Sequence, residues 1–306
     1  MSKHILITGG TGFIGQRLCQ YFLKQGHLVT VFTRSSEKVE KLWNGDIAAV
    51  DDLDQLEFIE PIDWVINLAG EPIADKRWTH AQKHRIQDSR ILFTKMLVDA
   101  LCTLPKAPEL MISGSAIGYY GHCEDETCDE SFSAGDDFAA QLCHDWEKAA
   151  QAITIKGTRL SFIRIGLVLG KNGGALKKMA ATFKMGLGGK IGSGDQWMSW
   201  IHIDDLCRLI LHVANTPQCK GVFNGTSPNP VTSVEFTQLL SKSLRSKTSF
   251  VPNIPLPKLL LKKAMGESSD LLLKGQKVVP LHATASGFKF TYPFLEQALQ
   301  QIYSAS

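Results

Sequence analysis

The chain has 306 residues, 44% of them hydrophobic, with 33 Lys plus Arg against 30 Asp plus Glu and a formal net charge of +3. That is enough apolar material for one large core, or for one core with a smaller lobe. Balanced charge with no run of five like charges argues against a nucleic-acid or membrane-surface partner, and no run of about eighteen apolar residues offers a transmembrane helix.

The seven cysteines are an odd number and form no CxxC pair. This disfavours a disulfide framework and fits reduced thiols in the cytoplasm. The opening Met1-Ser2-Lys3-His4 leads straight into a strand pattern, without the apolar run or cleavage site of a signal peptide.

In chain order, His4–Thr8 reads as the first strand. Gly9, Gly12 and Gly15 follow it with GxxGxxG spacing, and Ile14, Leu18, Phe22 with Cys19 and Leu23 mark one face of a helix that stops near Gly26. Further strands are expected at Leu28–Thr33, Ile47–Val50, Trp64–Ala69, Glu109–Ser115 and Leu160–Leu169, with a long helix over Trp78–Leu104. Strands alternating with helices predict βαβ units in a parallel sheet. After about Gly170 glycines crowd the chain (Gly173, Gly174, Gly186, Gly188, Gly189, Gly192, Gly194), as in a loop that walls a substrate cleft. From Thr226 the chain is proline-rich, with helices expected at Ser233–Leu244, Pro257–Met265 and Tyr292–Tyr303.

The glycine triplet carries the chemistry. Glycine tolerates the positive φ of a tight turn and lets the backbone approach a pyrophosphate. The helix behind it aims free N–H groups and a partial positive charge at the phosphates, and the last glycine permits close strand–helix packing. Because the motif follows an apolar strand and opens an amphipathic helix, it reads as a dinucleotide site built by Gly9, Gly10, Thr11, Gly12, Phe13, Ile14 and Gly15. The fold class is therefore α/β, a Rossmann-type doubly wound parallel sheet with a smaller, mainly helical lobe. Residues 1–225 would form the dinucleotide-binding domain, with 170–200 contributing to the substrate cleft, and 226–306 the lobe. The second strand ends in Arg34 and Ser35, where an acidic residue would bind the ribose of NAD. A guanidinium suits a 2′-phosphate instead, and such a contact is worth about 1.5–3 kcal/mol. The expected cofactor is NADP(H).

With these residues in hand, the chain resembles the extended short-chain dehydrogenase/reductases, and within them the atypical "epimerase family" branch with a short C-terminal domain. The resemblance rests on Thr8-Gly-Gly-Thr-Gly-Phe-Ile-Gly15, on Ile66-Asn-Leu-Ala-Gly-Glu-Pro-Ile73, and on Arg77-Trp78 with Ser89-Arg90. It extends through Ser113-Gly-Ser-Ala-Ile-Gly-Tyr-Tyr-Gly121, Asp145-Trp-Glu147, Trp200-Ile-His-Ile-Asp-Asp-Leu206 and Gly275-Gln276 with Pro280 and Gly287-Phe288. It implies that Asn67, Leu68, Ala69 and Gly70 line the nicotinamide side, with Ser113 and Gly114 beside them; by its position Arg90 could reach the cofactor phosphate or a substrate.

The superfamily works with a serine and a Tyr-x-x-x-Lys pair. Ser115, at a strand end, suits the serine role. The pair is missing: aligned on Glu147, its places hold Ala139 and Cys143, and no tyrosine occurs from Gly121 to Ala150. Tyr119 or Tyr120 could supply the acid. His144 and Lys148 have i, i+4 spacing but the wrong register and read as a solvated face. Cys123, Cys128, Cys143, His122 and His144 fit no zinc spacing, and no GxSxG elbow marks a hydrolase. Substrate-pocket candidates are Arg77 and Trp78, Trp197 and Trp200 (core or stacking wall), and His202, which either titrates near neutrality or is fixed by Asp204 or Asp205.

Three functions follow. The first is an NADPH-dependent reductase of a small carbonyl or unsaturated compound, which NADP preference supports. The second is an NADPH-binding sensor or scaffold with little catalysis, which the missing pair supports. The third is a sugar-nucleotide epimerase or dehydratase, implied by the superfamily alone. The partner is a small molecule, and the chain is expected as a monomer or homodimer.

Overall fold

A computed structural model describes residues 2–59, 61–185, 188–190, 192–244, 262–263 and 265–304. The chain opens with β1 (His4–Thr8), α1 (Phe13–Lys24), β2 (Leu28–Phe32), α2 (Ser36–Trp43) and β3 (Ala48–Val50). It continues with β4 (Trp64–Asn67), α3 (His80–Gln87), α4 (Phe93–Thr103), β5 (Leu110–Ala116), β6 (Thr127–Cys128), α5 (Phe138–Ala150) and β7 (Arg159–Ile165). Then come β8 (Leu167–Leu169), α6 (Gly174–Lys184), β9 (Trp197–Met198), β10 (Trp200–His202), α7 (Ile203–Asn215) and β11 (Gly221–Gly225). β12 (Val231–Thr232), α8 (Ser233–Ser243) and β13 (Lys277–Val278) follow, and α9 (Leu295–Ser304) closes the chain.

Seven strands form one sheet in the order β11-β7-β5-β4-β1-β2-β3, and every neighbouring pair in it is parallel. The chain steps outward from β1 to β3, returns, and steps outward the other way from β4. The reversal between β1 and β4 opens a crevice at their carboxyl ends, where ligands of doubly wound sheets bind. Register aligns those ends: Thr8 pairs with Phe32 and with Asn67, and Asn67 pairs with Ser113.

Strand alternation feeds two cores. Ile5 and Ile7 face the layer of Leu18, Phe22, Leu206 and Ile210, while Leu6 between them faces Leu97, Val98 and Leu101. A third core joins Leu169, Leu176, Phe183 and Trp200 to Phe236, Leu240, Leu295 and Leu299. β8, α6 and β10 thus pack on α8 and α9.

Several elements differ from the sequence expectation. The expected strand Leu160–Leu169 is two strands: β7 stays in the sheet, whereas β8 leaves it and pairs with β10. The expected helix Trp78–Leu104 starts at a Thr79 cap, whose side chain accepts from Gln82 N, and is interrupted by a π-helical turn at Asp88–Leu92. β11 had no counterpart in the sequence reading. The helix expected at Pro257–Met265 falls largely outside the described residues.

Candidate functional site

The glycine turn sits at the sheet reversal. Gly9 has φ +70°, and a Cβ there would lie 2.7 Å from the carbonyl oxygen of Leu68 on the next strand loop. A Cβ on Gly15 would lie 2.3 Å from Gly9 O and 2.8 Å from Gly10 O. Only glycine allows this double approach. α1 begins at Gly12 with no side-chain cap and no acidic residue in its first turn, so its first N–H groups and its dipole are available to an anion. The turn and this helix start fit a pyrophosphate. Phe13 packs against Gly173 and Gly174, where a Cβ would lie 2.4 Å and 3.2 Å from its ring, which brings the start of α6 against the start of α1.

Arg34 and Ser35 are exposed beyond the end of β2. A residue the sequence reading missed joins them: Lys38, in the first turn of α2, donates from Nζ to Thr11 O at 3.2 Å, beside the glycine turn. Its signal was available as a second cation four residues past Arg34. Across the crevice, the Glu71 carboxyl is held below its ordinary value by a hydrogen bond from Lys76, then by Gln82, and at longer range by the charge of Arg34.

Asn67 and Ser113 are fully buried struts. Thr8 Oγ1 donates to Asn67 Oδ1 at 2.7 Å and accepts from Leu68 N and Ala69 N at 3.1 Å each. Asn67 Nδ2 donates to Thr94 Oγ1 at 2.9 Å and Ser113 Oγ at 3.3 Å. Both side chains tie β1, β4, β5 and α4 together and leave the backbone of Leu68, Ala69 and Gly70 at the crevice. Gly114 is also enclosed, with Asn67 O 3.2 Å from where a Cβ would stand.

The π-helical turn presents Arg90 to Gly70, whose Cβ would lie 2.9 Å from Arg90 Cζ. Its guanidinium lies 5.3 Å from the Trp146 ring centroid and donates to Ile86 O at 3.3 Å. Burial lowers its pKa. Such a cation beside the crevice is suited to an anionic or carbonyl group.

Around the expected catalytic serine the polar groups are committed. Ser115 is 3% exposed, and its Oγ donates to Glu147 Oε1 at 2.7 Å. Arg164, paired with Ser115 across β5 and β7, grips the same carboxylate with two bonds, Nε to Oε1 at 2.8 Å and Nη2 to Oε2 at 2.9 Å. Burial opposes the Arg164 charge, but the hydrogen bonds and charge of Glu147 outweigh it and raise its pKa. Arg164 Nη1 donates to Tyr120 Oη at 3.2 Å, and Tyr120 donates to Asn224 Oδ1 at 2.6 Å. Burial pushes the Tyr120 phenol up to about 12. Ser115 thus directs its proton at a buried ion pair, and the Tyr120 phenol is enclosed between Arg164 and Asn224. Tyr119 is different. It is half-buried, its ring lies 3.3 Å from Arg164 Cζ, and its hydroxyl has no hydrogen-bond partner among the described residues. Burial pushes the Cys143 thiol, at the family's lysine place, up to about 11.

Trp78 donates from Nε1 to Ile73 O at 2.8 Å and stands edge-on to Phe138 at 5.0 Å. Arg77 is exposed and packs on Gly266 of the C-terminal segment. Trp197 is partly buried and donates to Asp125 Oδ1 at 2.9 Å. Trp200 is fully buried, with Nε1 donating to Asn229 O at 3.0 Å, so it is core and not a stacking wall. His202 is 2% exposed: Nδ1 accepts from Asp204 N at 3.1 Å, Nε2 meets Gln301 Oε1 at 3.0 Å, and the ring lies 4.2 Å from Tyr292. Burial lowers its pKa. These partners hold the ring in place, and it lines a cavity together with Phe13, Gly170 and Asp204. His144 and Lys148 are exposed. Among the described residues no group of three or more His, Cys, Asp or Glu is placed to hold a metal, and no helix is long and apolar enough to cross a membrane.

A doubly wound sheet with a glycine turn at its reversal defines a dinucleotide-binding architecture, and the chain belongs to the NAD dependent epimerase/dehydratase family, whose model matches residues 5–224. A second model, a domain of unknown function designated DUF1731, matches residues 256–302. Among its relatives, the chain is 40% identical to the chloroplastic epimerase family protein SDR39U1 homolog of Arabidopsis thaliana, over 97% of this chain and 86% of that one. It is 36% identical to epimerase family protein YfhF of Bacillus subtilis, over 98% and 97%. The crystal structure of human epimerase family protein SDR39U1 with NADPH superposes with a TM-score of 0.89 at 34% identity, covering 99% of this chain and all of that one. A UDP-glucose 4-epimerase of Thermotoga maritima, at 17% identity and TM-score 0.78, shares the fold.

Proposed function

We propose that the protein is an NADP(H)-binding oxidoreductase of the cytoplasm that reduces a small carbonyl or unsaturated compound. The observation that carries this reading is a pair of cations just past the end of β2: Arg34, which is exposed, and Lys38, whose Nζ reaches Thr11 O in the glycine turn. A dinucleotide seated on the glycine turn puts its adenosine ribose there, and two cations suit a 2′-phosphate. The human relative solved with NADPH supports the same cofactor. The seven free cysteines support a reducing compartment.

The reduced nicotinamide supplies a hydride. This chain's own residues would hold the cofactor by the glycine turn, Arg34 and Lys38, and orient the nicotinamide end by the Leu68–Gly70 backbone and Arg90. A second reading, an NADPH sensor, is favoured by the commitment of Ser115 and Tyr120 to internal partners. An epimerase or dehydratase reading has family membership alone behind it. The test is NADPH oxidation, followed by absorbance, with a panel of aldehydes, ketones, quinones and enones. Turnover of any member supports the reductase; tight NADPH binding without turnover across the panel replaces it with the sensor.

A further inference from the structure

We infer that Tyr119 is the proton donor of this site and that Arg164 takes over, from β7, the electrostatic task that a lysine performs in the family's Tyr-x-x-x-Lys pair. The inference rests on the reductase reading and deepens it.

The place of the missing pair is not an open hole. A Cβ on Gly118 would lie 3.3 Å from the Ala139 Cβ and 4.0 Å from the Cys143 Sγ. The helical turn Ile117–Tyr120, directly after the carboxyl end of β5, is therefore laid against α5 where the tyrosine and lysine would have stood. Strand ends of this kind face the cofactor crevice. Of the hydroxyls of Ser115, Tyr119 and Tyr120, Ser115 gives its proton to Glu147 and Tyr120 gives its proton to Asn224. Of these, only the Tyr119 hydroxyl has no hydrogen-bond partner among the described residues.

Arg164 is placed to act on it. Its guanidinium lies 3.3 Å from the Tyr119 ring centroid and is immobilised by the two bonds to Glu147. A fixed cation on a ring favours negative charge developing on the phenol oxygen, and a preorganised charge in a dry site pays no reorganisation at the moment of reaction. Glu147 balances the buried cation, so the pair can stay enclosed.

The step balances. The carbonyl carbon gains a hydride from the reduced nicotinamide, which is oxidised. The C=O π pair moves to oxygen, the Tyr119 O–H bond breaks, and its proton goes to that oxygen to give the alcohol. The phenolate, held beside Arg164, recovers a proton from water.

The test uses the full chain, NADPH and one carbonyl found by the panel. Tyr119→Phe deletes a hydroxyl that bonds no described residue, so thermal stability and NADPH affinity should hold within about twofold. Turnover should fall roughly 100-fold or more, in kcat and not in KM. Replacing the buried pair by apolar groups of similar size, Ser115→Ala with Glu147→Leu and Arg164→Met, should preserve the fold and lower kcat similarly, while Arg164→Lys should retain part of it. Wild-type protein inert across the panel overturns the reductase reading and this inference with it. Turnover that survives Tyr119→Phe, or survives loss of the Arg164 charge, overturns this inference and leaves the reductase standing. If the triple variant loses NADPH binding, Tyr119→Phe and the Arg164→Lys comparison decide the matter alone.

Discussion

Replacing Arg34 and Lys38 by alanine, singly and together, is the sharpest probe of the cofactor assignment. Arg34 is exposed and Lys38 sits on the rim with its ammonium 3.2 Å from Thr11 O. A charge-assisted contact to a phosphate is worth about 1.5–3 kcal/mol, and solvent exposure with ionic screening puts both residues at the low end. About 1.5 kcal/mol each is roughly a tenfold loss of NADPH affinity per single variant. The double variant should lose roughly 30- to 100-fold, short of strict additivity because both cations face one phosphate. NADH lacks that phosphate, so its dissociation constant should move by no more than about twofold. Fluorescence titration of both nucleotides at low and high salt reads this directly: the wild-type preference for NADPH should shrink with salt, and the double variant should show little preference to lose. An unchanged NADPH-to-NADH ratio in the double variant would refute the argument, even if both affinities dropped.

Two other predictions concern the framework that shapes the crevice. Asp205 is fully buried and accepts from Thr291 N at 2.9 Å and Tyr292 N at 2.8 Å while pairing with Arg208. Asp205→Ala leaves two backbone donors without their acceptor, at about 1–3 kcal/mol each, so urea unfolding should show a loss of about 2–6 kcal/mol; a loss below about 1 kcal/mol contradicts the staple. His202 has its pKa depressed from 6.5 by burial. The unfolded chain therefore binds the proton first, stability rises with pH through that window, and His202 contributes fully above 6.5 and less as pH falls below it. His202→Gln should flatten the pH dependence of the unfolding midpoint below neutrality, and an unaltered slope counts against a neutral buried ring.

The local rules were legible along the chain. Alternating strands and helices, the turn of Gly9, Gly12 and Gly15, and the stop at Gly26 depend on neighbours within a few residues, and backbone sterics and side-chain periodicity decide them wherever they occur. Arg34 was legible for the same reason, since its distance from the glycines along one βαβ unit places it. The absence of a Tyr-x-x-x-Lys pair was also visible, because that motif lives on a single helix face. The fate of each polar side chain was not. Ser115, Glu147, Arg164 and Asn224 come from β5, α5, β7 and β11, and only parallel pairing across those strands brings them to one place. The same holds for Trp200, which the docking of α8 and α9 turned from a plausible wall into core, and for His202, which Gln301 and Tyr292 immobilise. Sequence alone determined that a dinucleotide cradle is here, because a cradle is a local backbone shape. Tertiary structure decided where the protons of Ser115 and Tyr120 go, because a buried proton goes to whichever acceptor the fold brings within reach, here Glu147 and Asn224.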